Sequence, residues 1–251
     1  MPCHKHAMEY AEYVLMDAEE QRLWWYRALH ARLVALLAGV HGRVVDAGCG
    51  TGGLLQVLAQ ARPDLDLLGV EFDAGAARLA ARKSGVAVLR GSINAMPLAD
   101  GCADAAIAAD VLCHAAVEPM VALGELRRVV RPGGLVVLNM PAYRWMMSAH
   151  DRRVHNARRV TAGELRQWLL AAGLVEVRTR FWNSLLFPLM VAQRKLLARG
   201  DAASDVAAIS PWLNASLLAV TRLEWHLPAL PVGGSILATA RVPGSSPETS
   251  R

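Results

Sequence analysis

A chain of 251 residues, 54% of them hydrophobic, holds ample material for one large domain, or for one domain carrying an insertion. Its formal net charge of +5 is only mildly basic, which suits an Arg-rich solvated surface and supplies no basic domain for nucleic acid. The four cysteines, Cys3, Cys49, Cys102 and Cys113, form no C-x-x-C pair, so they support neither a disulfide scaffold nor a zinc site, and a reducing, cytoplasmic setting is expected.

Residues 1–8 read as a loose terminus. Glu9, Glu12 and Asp17 leave no room for a signal-peptide core. No apolar run reaches about 18 residues, so no transmembrane helix is expected. From Glu9 to Gly39 the apolar spacing predicts helix, with Gly39 as its cap. Inside it Trp24, Trp25 and Tyr26 are adjacent, and three neighbours on a helix cannot share one face. They either pack on two sides or form a lid with one ring over a ligand. Val44–Asp46 reads as a short buried strand. A glycine-dense turn follows, then a helix that stops at Arg62-Pro63.

Leu67–Phe72 predicts a second strand, Ala74–Gly85 a helix, Val86–Leu89 a third strand and Asp104–Ala109 a fourth. A helix over Val117–Val130 ends at Arg131-Pro132-Gly133-Gly134, and Leu135–Leu138 is a fifth strand. This βα alternation predicts a parallel sheet with helices on both faces. Ser148–Arg159 is polar and basic. Thr161 and Glu164 match a capping box opening a helix over Leu165–Ala172. Val175–Arg180 alternates as a sixth strand, residues 183–234 form an apolar helical insertion, and Ser235–Val242 is the last strand. Pro243–Arg251 reads as a disordered tail.

The stretch Val44-Val45-Asp46-Ala47-Gly48-Cys49-Gly50-Thr51-Gly52-Gly53 is a strand, a tight glycine loop and a helix start, the makings of a nucleotide site. Gly48, Gly50 and Gly53 satisfy G-x-G-x-x-G, so a nicotinamide cofactor must be weighed. Asp46 argues against it, because a carboxylate there repels pyrophosphate and welcomes a cationic amino-acid end. The closing strand after a long insertion, and Asp110–His114 placed to face a ligand after the fourth strand, argue the same way.

Several motifs, in order and spacing, resemble those of the class I S-adenosylmethionine-dependent methyltransferases of the small-molecule kind. Val44–Gly53 resembles the family's first motif. Glu71 resembles the acid that accepts hydrogen bonds from the ribose hydroxyls. Gly91-Ser92-Ile93-Asn94 with Met96-Pro97-Leu98 resembles the adenine-side motif, and Arg131-Pro132-Gly133-Gly134 the turn before the fifth strand. The resemblance covers roughly residues 40–182 and the last strand. It implies an α/β, Rossmann-like, doubly wound, seven-stranded, mostly parallel sheet with an antiparallel last strand. Residues 1–39 would then be a helical cap and 183–234 a substrate cap. The cofactor would be S-adenosyl-L-methionine, held by Asp46, Gly48, Cys49, Gly50, Gly52, Glu71, Phe72, Ser92, Ile93 and Asp110. Many relatives carry Asp where Ser92 stands, and the backbone N–H of Ile93, or Asn94, would then share the adenine contact.

A sulfonium methyl needs a nucleophile in line behind it, a proton acceptor when the acceptor is protonated, and exclusion of water. His114, His150 and His155 are the candidate bases, although His114 also suits a helix start bonded to backbone. Asp151 would orient a histidine tautomer. Arg158 and Arg159 suit a carboxylate or phosphate on the acceptor, and Ser148 and Trp182 complete the acceptor-side set with Trp24, Trp25 and Tyr26. The alternative for Ser148–Arg159 is a solvated charged face. No metal is called for. Arg194-Lys195 beside Leu185–Val191 would fit an interfacial helix touching lipid, and the insertion would equally serve as a dimer contact. The expected activity is methyl transfer to O or N of a small molecule with an apolar or aromatic body and an anionic group. Its rivals are a nucleic-acid methyltransferase, for which Asp110-Val111-Leu112-Cys113 lacks the Asn/Asp-Pro-Pro-aromatic segment, and a protein that binds the cofactor without transferring methyl.

Overall fold

Alternation of small and branched apolar residues along the central strands dictates a sheet buried on both faces. In the computed structural model, which describes residue 13, residues 17–196 and residues 209–244, seven strands form one sheet: β1 (Gly42–Ala47), β2 (Leu65–Glu71), β3 (Ala87–Arg90), β4 (Ala103–Ala109), β5 (Val130–Pro141), β6 (Val175–Trp182) and β7 (Ser235–Arg241). The spatial order is β3-β2-β1-β4-β5-β7-β6. All neighbours pair in parallel except β7, which runs antiparallel to both β5 and β6.

Helices cover both faces. On one side lie α1 (Trp24–Leu36), α2 (Gly53–Ala61) and α8 (Pro211–Trp225), and on the other α4 (Pro119–Val129) and α6 (Ala162–Ala171). α3 (Ala74–Ser84) packs beside α2 and β3. Val44, Ala105, Ile107 and Val137 point to the first face with Leu29, Leu33, Leu54 and Leu58. Val45, Ala106, Val136 and Leu138 point to the second with Leu123, Leu126, Leu165 and Leu169. Each leucine so buried contributes about 1.5–3 kcal/mol. The capping box at the start of α6 forms as the sequence predicts: Thr161 Oγ1 accepts the Glu164 N–H at 3.2 Å, and Glu164 Oε2 accepts the Thr161 N–H at 2.7 Å.

Some boundaries differ from the sequence reading. The N-terminal helix is not continuous to Gly39: a helical turn at residues 17–19 is followed by a break at residues 20–23 before α1 begins. β5 starts at Val130, before the Arg-Pro-Gly-Gly turn, because Gly133 takes φ +78° and keeps the chain paired. The insertion supplies α7 (Phe187–Leu196) and α8, while residues 197–208 lie outside the described residues. So do residues 1–12 and 245–251, which hold the expected loose terminus and most of the expected tail. Among the described residues no helix is long and apolar enough to cross a membrane.

Candidate functional site

The sheet order reverses between β1 and β4, and in open α/β sheets ligands settle in the crevice at the carboxyl ends of the strands there. After β1 the chain turns sharply: Gly48, Gly50 and Gly52 all take positive φ, at +85°, +54° and +87°. The Gly48 and Cys49 N–H groups donate to Val70 O at 2.7 and 3.1 Å. A Cβ on Gly48 would stand 2.6 Å from a Val111 methyl, and one on Gly52 2.7 Å from Ala80 Cα. Side chains therefore cannot enter, and the backbone is left close to the crevice.

Three buried carboxylates surround this loop. Glu71 closes it from β2, its two oxygens accepting the Gly50 N–H at 2.9 Å and the Asp73 N–H at 2.9 Å. The Tyr13 hydroxyl comes to 3.5 Å of Oε1. Burial pushes the Glu71 carboxyl up despite these bonds. Asp46 is 2% exposed. Burial, then repulsion from Glu71 and Glu20, pushes it up to about 7, and its Oδ2 has no hydrogen-bond partner among the described residues. Glu20, from the segment before α1, accepts from Thr51 Oγ1 at 2.8 Å and pairs with Lys83 on α3. An orphaned, buried carboxylate oxygen calls for a cationic donor. A ligand bearing an ammonium fits here, and a pyrophosphate does not. Cys49 Sγ is buried in a small cluster with Leu55 and Ala80, and burial and Asp46 push its thiol up, so it is an inert packing group.

On the adenine side, Phe72 is 61% exposed at the end of β2, an open ring beside the loop. Ser92 Oγ accepts the Asn94 N–H at 3.1 Å, and Ile93 is buried. The Asn94 amide is committed elsewhere: Nδ2 donates to Ala116 O at 3.0 Å and Oδ1 accepts from Glu118 N at 3.1 Å. Asn94 therefore braces the approach to α4.

The β4 end lies against the glycine loop, since Val111 is the side chain that Gly48 packs on. Asp110 has φ +55°, a left-handed backbone for a non-glycine residue. Its Oδ2 accepts from Asn139 Nδ2 at 2.7 Å, and Asn139 Oδ1 accepts from Trp182 Nε1 at 2.8 Å. Trp182 is 1% exposed, tilted against Trp25 at 5.8 Å with the Arg32 guanidinium 4.8 Å over its ring. It therefore reaches the crevice through Asn139 and not by its ring face. Burial pushes the Asp110 carboxyl up to about 7, with Asn139 and Arg159 pulling the other way.

The Ser148–Arg159 segment, which opens with the short helix α5 (Ala149–Arg153), is a folded arm and not a solvated face. Asp151 and Arg159 are buried and joined by two-pronged bonds of 2.8 to 3.2 Å. Asp151 also accepts from Ser148 Oγ at 2.8 Å, and Arg159 Nη1 reaches Ala142 O at 3.2 Å. This pair is committed to the arm itself. His114 Nδ1 lies 3.0 Å from Val154 O, Arg158 Nη1 donates to His114 O at 2.5 Å, and Ala115 N donates to His155 O at 2.9 Å. The arm is thus zipped to the loop after β4, which brings His114 and His155 together. Burial lowers the His114 imidazole below its ordinary range, so it is neutral at pH 7. The side chain of His150 lies outside the described residues. Among the described residues no cluster of histidine, cysteine and carboxylate could hold a metal.

In the N-terminal helix, Trp24 N donates to Asn214 Oδ1 at 2.8 Å, and Trp24 and Trp25 pack on the first core. Tyr26 meets Trp25 edge-on at 5.0 Å. The Trp24 backbone thus ties α1 to α8 and the Trp25 ring ties it to Trp182 on β6, while Tyr26 packs within α1. Sequence reasoning missed Asn139, Glu20, Tyr143 and Trp145: at the β5 and β6 ends Tyr143 stacks on Phe181 and Trp145, each at 5.7 Å, and Phe187 lies 5.5 Å from Tyr143. A polar residue inside the apolar run Leu138-Asn139-Met140 was the one available signal for the first. It also missed Arg153, whose Nη2 is buried without a partner among the described residues.

Residues 45–138 match the model of the methyltransferase domain family. Over 131 residues the chain is 33% identical to 24-methylenesterol C-methyltransferase 2 of Oryza sativa subsp. japonica, across 49% of this chain and 34% of that one. It is 35% identical over 107 residues to a ubiquinone/menaquinone biosynthesis C-methyltransferase of Syntrophotalea carbinolica, across 41% and 44%. The matches therefore span less than half the length of these curated relatives. Among solved structures, a possible histamine N-methyltransferase from Thermotoga maritima superposes with a TM-score of 0.61 at 19% identity, covering 92% of this chain and 99% of that one. At that identity the likeness speaks to the fold.

Proposed function

We propose that the chain, whose residues 45–138 match the methyltransferase domain family, is a class I methyltransferase with S-adenosyl-L-methionine as its cofactor, and that it methylates O or N of a small molecule with an apolar or aromatic body and an anionic group. The orphaned Oδ2 of Asp46 carries the cofactor half of this reading. Among the described residues it is a buried acceptor at the glycine loop without a partner, which an ammonium-bearing ligand would satisfy. Glu71 offers its remaining lone pairs to hydroxyls, and Phe72 an open ring face to a base. When bound, the cofactor supplies an electrophilic methyl group.

The acceptor half rests on the edge over β5 and β6. Tyr143, Trp145, Phe181 and Phe187 offer ring faces to an apolar body. The unpaired Arg153 Nη2 and the remaining donors of Arg158 offer charge for an anionic group. With Nδ1–H donated to Val154 O, His114 keeps Nε2 as a free base, and His155 stands beside it. Segment 1–39 and the 183–234 insertion act as the cap that excludes water. The relatives named above are a sterol and a quinone-biosynthesis methyltransferase, which accords with an apolar acceptor.

The test is transfer of a labelled methyl group from S-adenosylmethionine to a panel of hydroxylated and aminated aryl carboxylates and prenyl phosphates. Label in an acceptor with matching S-adenosylhomocysteine supports the reading. Tight cofactor binding with no label across the panel supports a non-methylating use of the cofactor.

A further inference from the structure

Asp110 is half-buried, its carboxylate held by a side-chain bond from Asn139, and the functional reading above leaves it without a task. It closes β4, beside the glycine loop, where Val111 fills the space Gly48 leaves. Its backbone is strained into the left-handed region, at a position where such strain marks function. The carboxylate is aimed by a relay. Trp182 N–H fixes the Asn139 oxygen, so Asn139 must present its NH2 to Asp110 Oδ2. Trp182 in turn is wedged between Trp25 and Arg32. Only one carboxylate oxygen is used by this relay. Asp110 itself stands directly after β4, at the carboxyl end where β1 and β4 diverge.

We propose that the Asp110 carboxylate faces the charged end of the bound methyl donor and exchanges a proton in step with that charge, ionised while the donor is a sulfonium and protonated once the methyl has left. The proposal rests on the reading of the cofactor given above. Its chemistry balances. The acceptor's O–H or N–H bond breaks as its new bond to carbon forms. The electron pair of the broken C–S bond stays on sulfur, and the acceptor's proton ends on Asp110, directly or through His114, until water takes it with product release. The site therefore holds no net charge before transfer (sulfonium and carboxylate) and none after (thioether and carboxylic acid). In a buried crevice that equality avoids the cost of an unpaired ion in either state. Asn139 and Trp182 are positioning residues.

The surroundings suit this exchange. Arg159 and Asp151 are the charges facing Asp110 from the arm, and they are bonded to each other. Cys113, on the same loop, is pushed well up by burial and stays a neutral thiol. Asn139 is uncharged. With burial holding the free carboxyl near neutrality, a single positive charge alongside is enough to expel its proton. Asp46 titrates in the same range, but it faces the amino-acid end that S-adenosylmethionine and S-adenosylhomocysteine share.

Calorimetric titration of both ligands from pH 6 to 8, in phosphate and in Tris, isolates the sulfonium. The expected result is that the preference for S-adenosylmethionine over S-adenosylhomocysteine grows with pH, about tenfold for each unit by which the donor lowers the carboxyl. Extra proton release should accompany the methylated ligand alone. In Asp110→Asn both the pH dependence and the extra release vanish while S-adenosylhomocysteine affinity stays within about threefold. A flat preference in the wild type, the same pH dependence in Asp110→Asn, or an equal loss of both ligands would overturn the proposal. If Asp110→Asn does not fold, Trp182→Phe decides: loss of the indole N–H should move the midpoint of the pH dependence, and an unmoved midpoint refutes the relay. Failure of the wild type to bind either ligand has a different signature and would remove the cofactor reading itself.

Discussion

Glu71 Oε2 at the end of β2 accepts the backbone N–H of Gly50, 21 residues earlier in the chain, at 2.9 Å. One carboxylate thus clamps the glycine loop and still has lone pairs for a ligand. Replacing it with Ala frees the Gly50 and Asp73 N–H groups and removes the acceptor for hydroxyls. Glu71→Ala should weaken S-adenosylhomocysteine binding by about 1–3 kcal/mol, the scale for losing buried polar partners. Isothermal calorimetry at unchanged secondary structure measures this, and wild-type affinity would remove Glu71 from the site.

Gly48 has two reasons to be glycine, its φ of +85° and the Val111 methyl 2.6 Å from where a Cβ would stand. Gly48→Ala should cost about 1–3 kcal/mol of stability from strain and overpacking. It should also push the β4 loop away from the crevice and weaken cofactor binding at least tenfold. Paired Gly48→Ala, Val111→Ala should recover part of both losses, because the collision is specific. Chemical denaturation and calorimetry of the single and double variants check it.

Asp46 predicts a pH dependence with an unusual sign. Its folded-state carboxyl is pushed up to about 7 by burial, above the unfolded value near 3.9. The folded protein then binds more protons than the unfolded chain between those limits. Asp46 therefore costs stability that grows as pH rises from about 4 to 7. Asp46→Asn should raise the melting temperature of the ligand-free protein at pH 8, leave it unchanged at pH 4, and weaken cofactor binding. A variant no more stable than the wild type at pH 8 would contradict this.

Asp151 has the opposite sign. Burial alone would push it up, but pairing with Arg159 and hydrogen bonds from Ser148 outweigh this and hold it below the ordinary carboxylate range. Its contribution is complete above the unfolded value near 4 and is lost as pH falls through the depressed folded value. Asp151→Asn leaves Arg159 buried without its counter-charge, and should cost about 3–5 kcal/mol at pH 7. Urea denaturation across pH 3–7 should show the gap between variant and wild type narrowing at the acid end.

The sheet and its glycine loop were legible because each rests on local necessities. Glycines mark positions where φ must be positive, acids end the strands beside them, and apolar runs at βα spacing fix the layers. The acceptor side was not legible in the same way. Arg159 read as a substrate ligand and Asp151 as the orienter of a histidine until the fold turned them toward each other. Trp182 read as a pocket wall until its indole N–H was seen spent on Asn139. Asn94 read as an adenine contact until Ala116 and Glu118 claimed its amide. In each case a polar side chain's partner lies far along the chain, and nothing in the local pattern records it.

The place of β7 has a consequence for how the protein is made. Residues 235–241 lie between β5 and β6, pairing antiparallel with both. As the chain leaves the ribosome, the outer edge of β5 therefore stays bare until those residues have been synthesised, and β6 has no partner at all. An apolar edge left open this long is a template for pairing with other nascent chains. Synthesis stalled before Ser235 should yield a half-closed, chaperone-dependent species, even though every residue of the glycine loop is already in place.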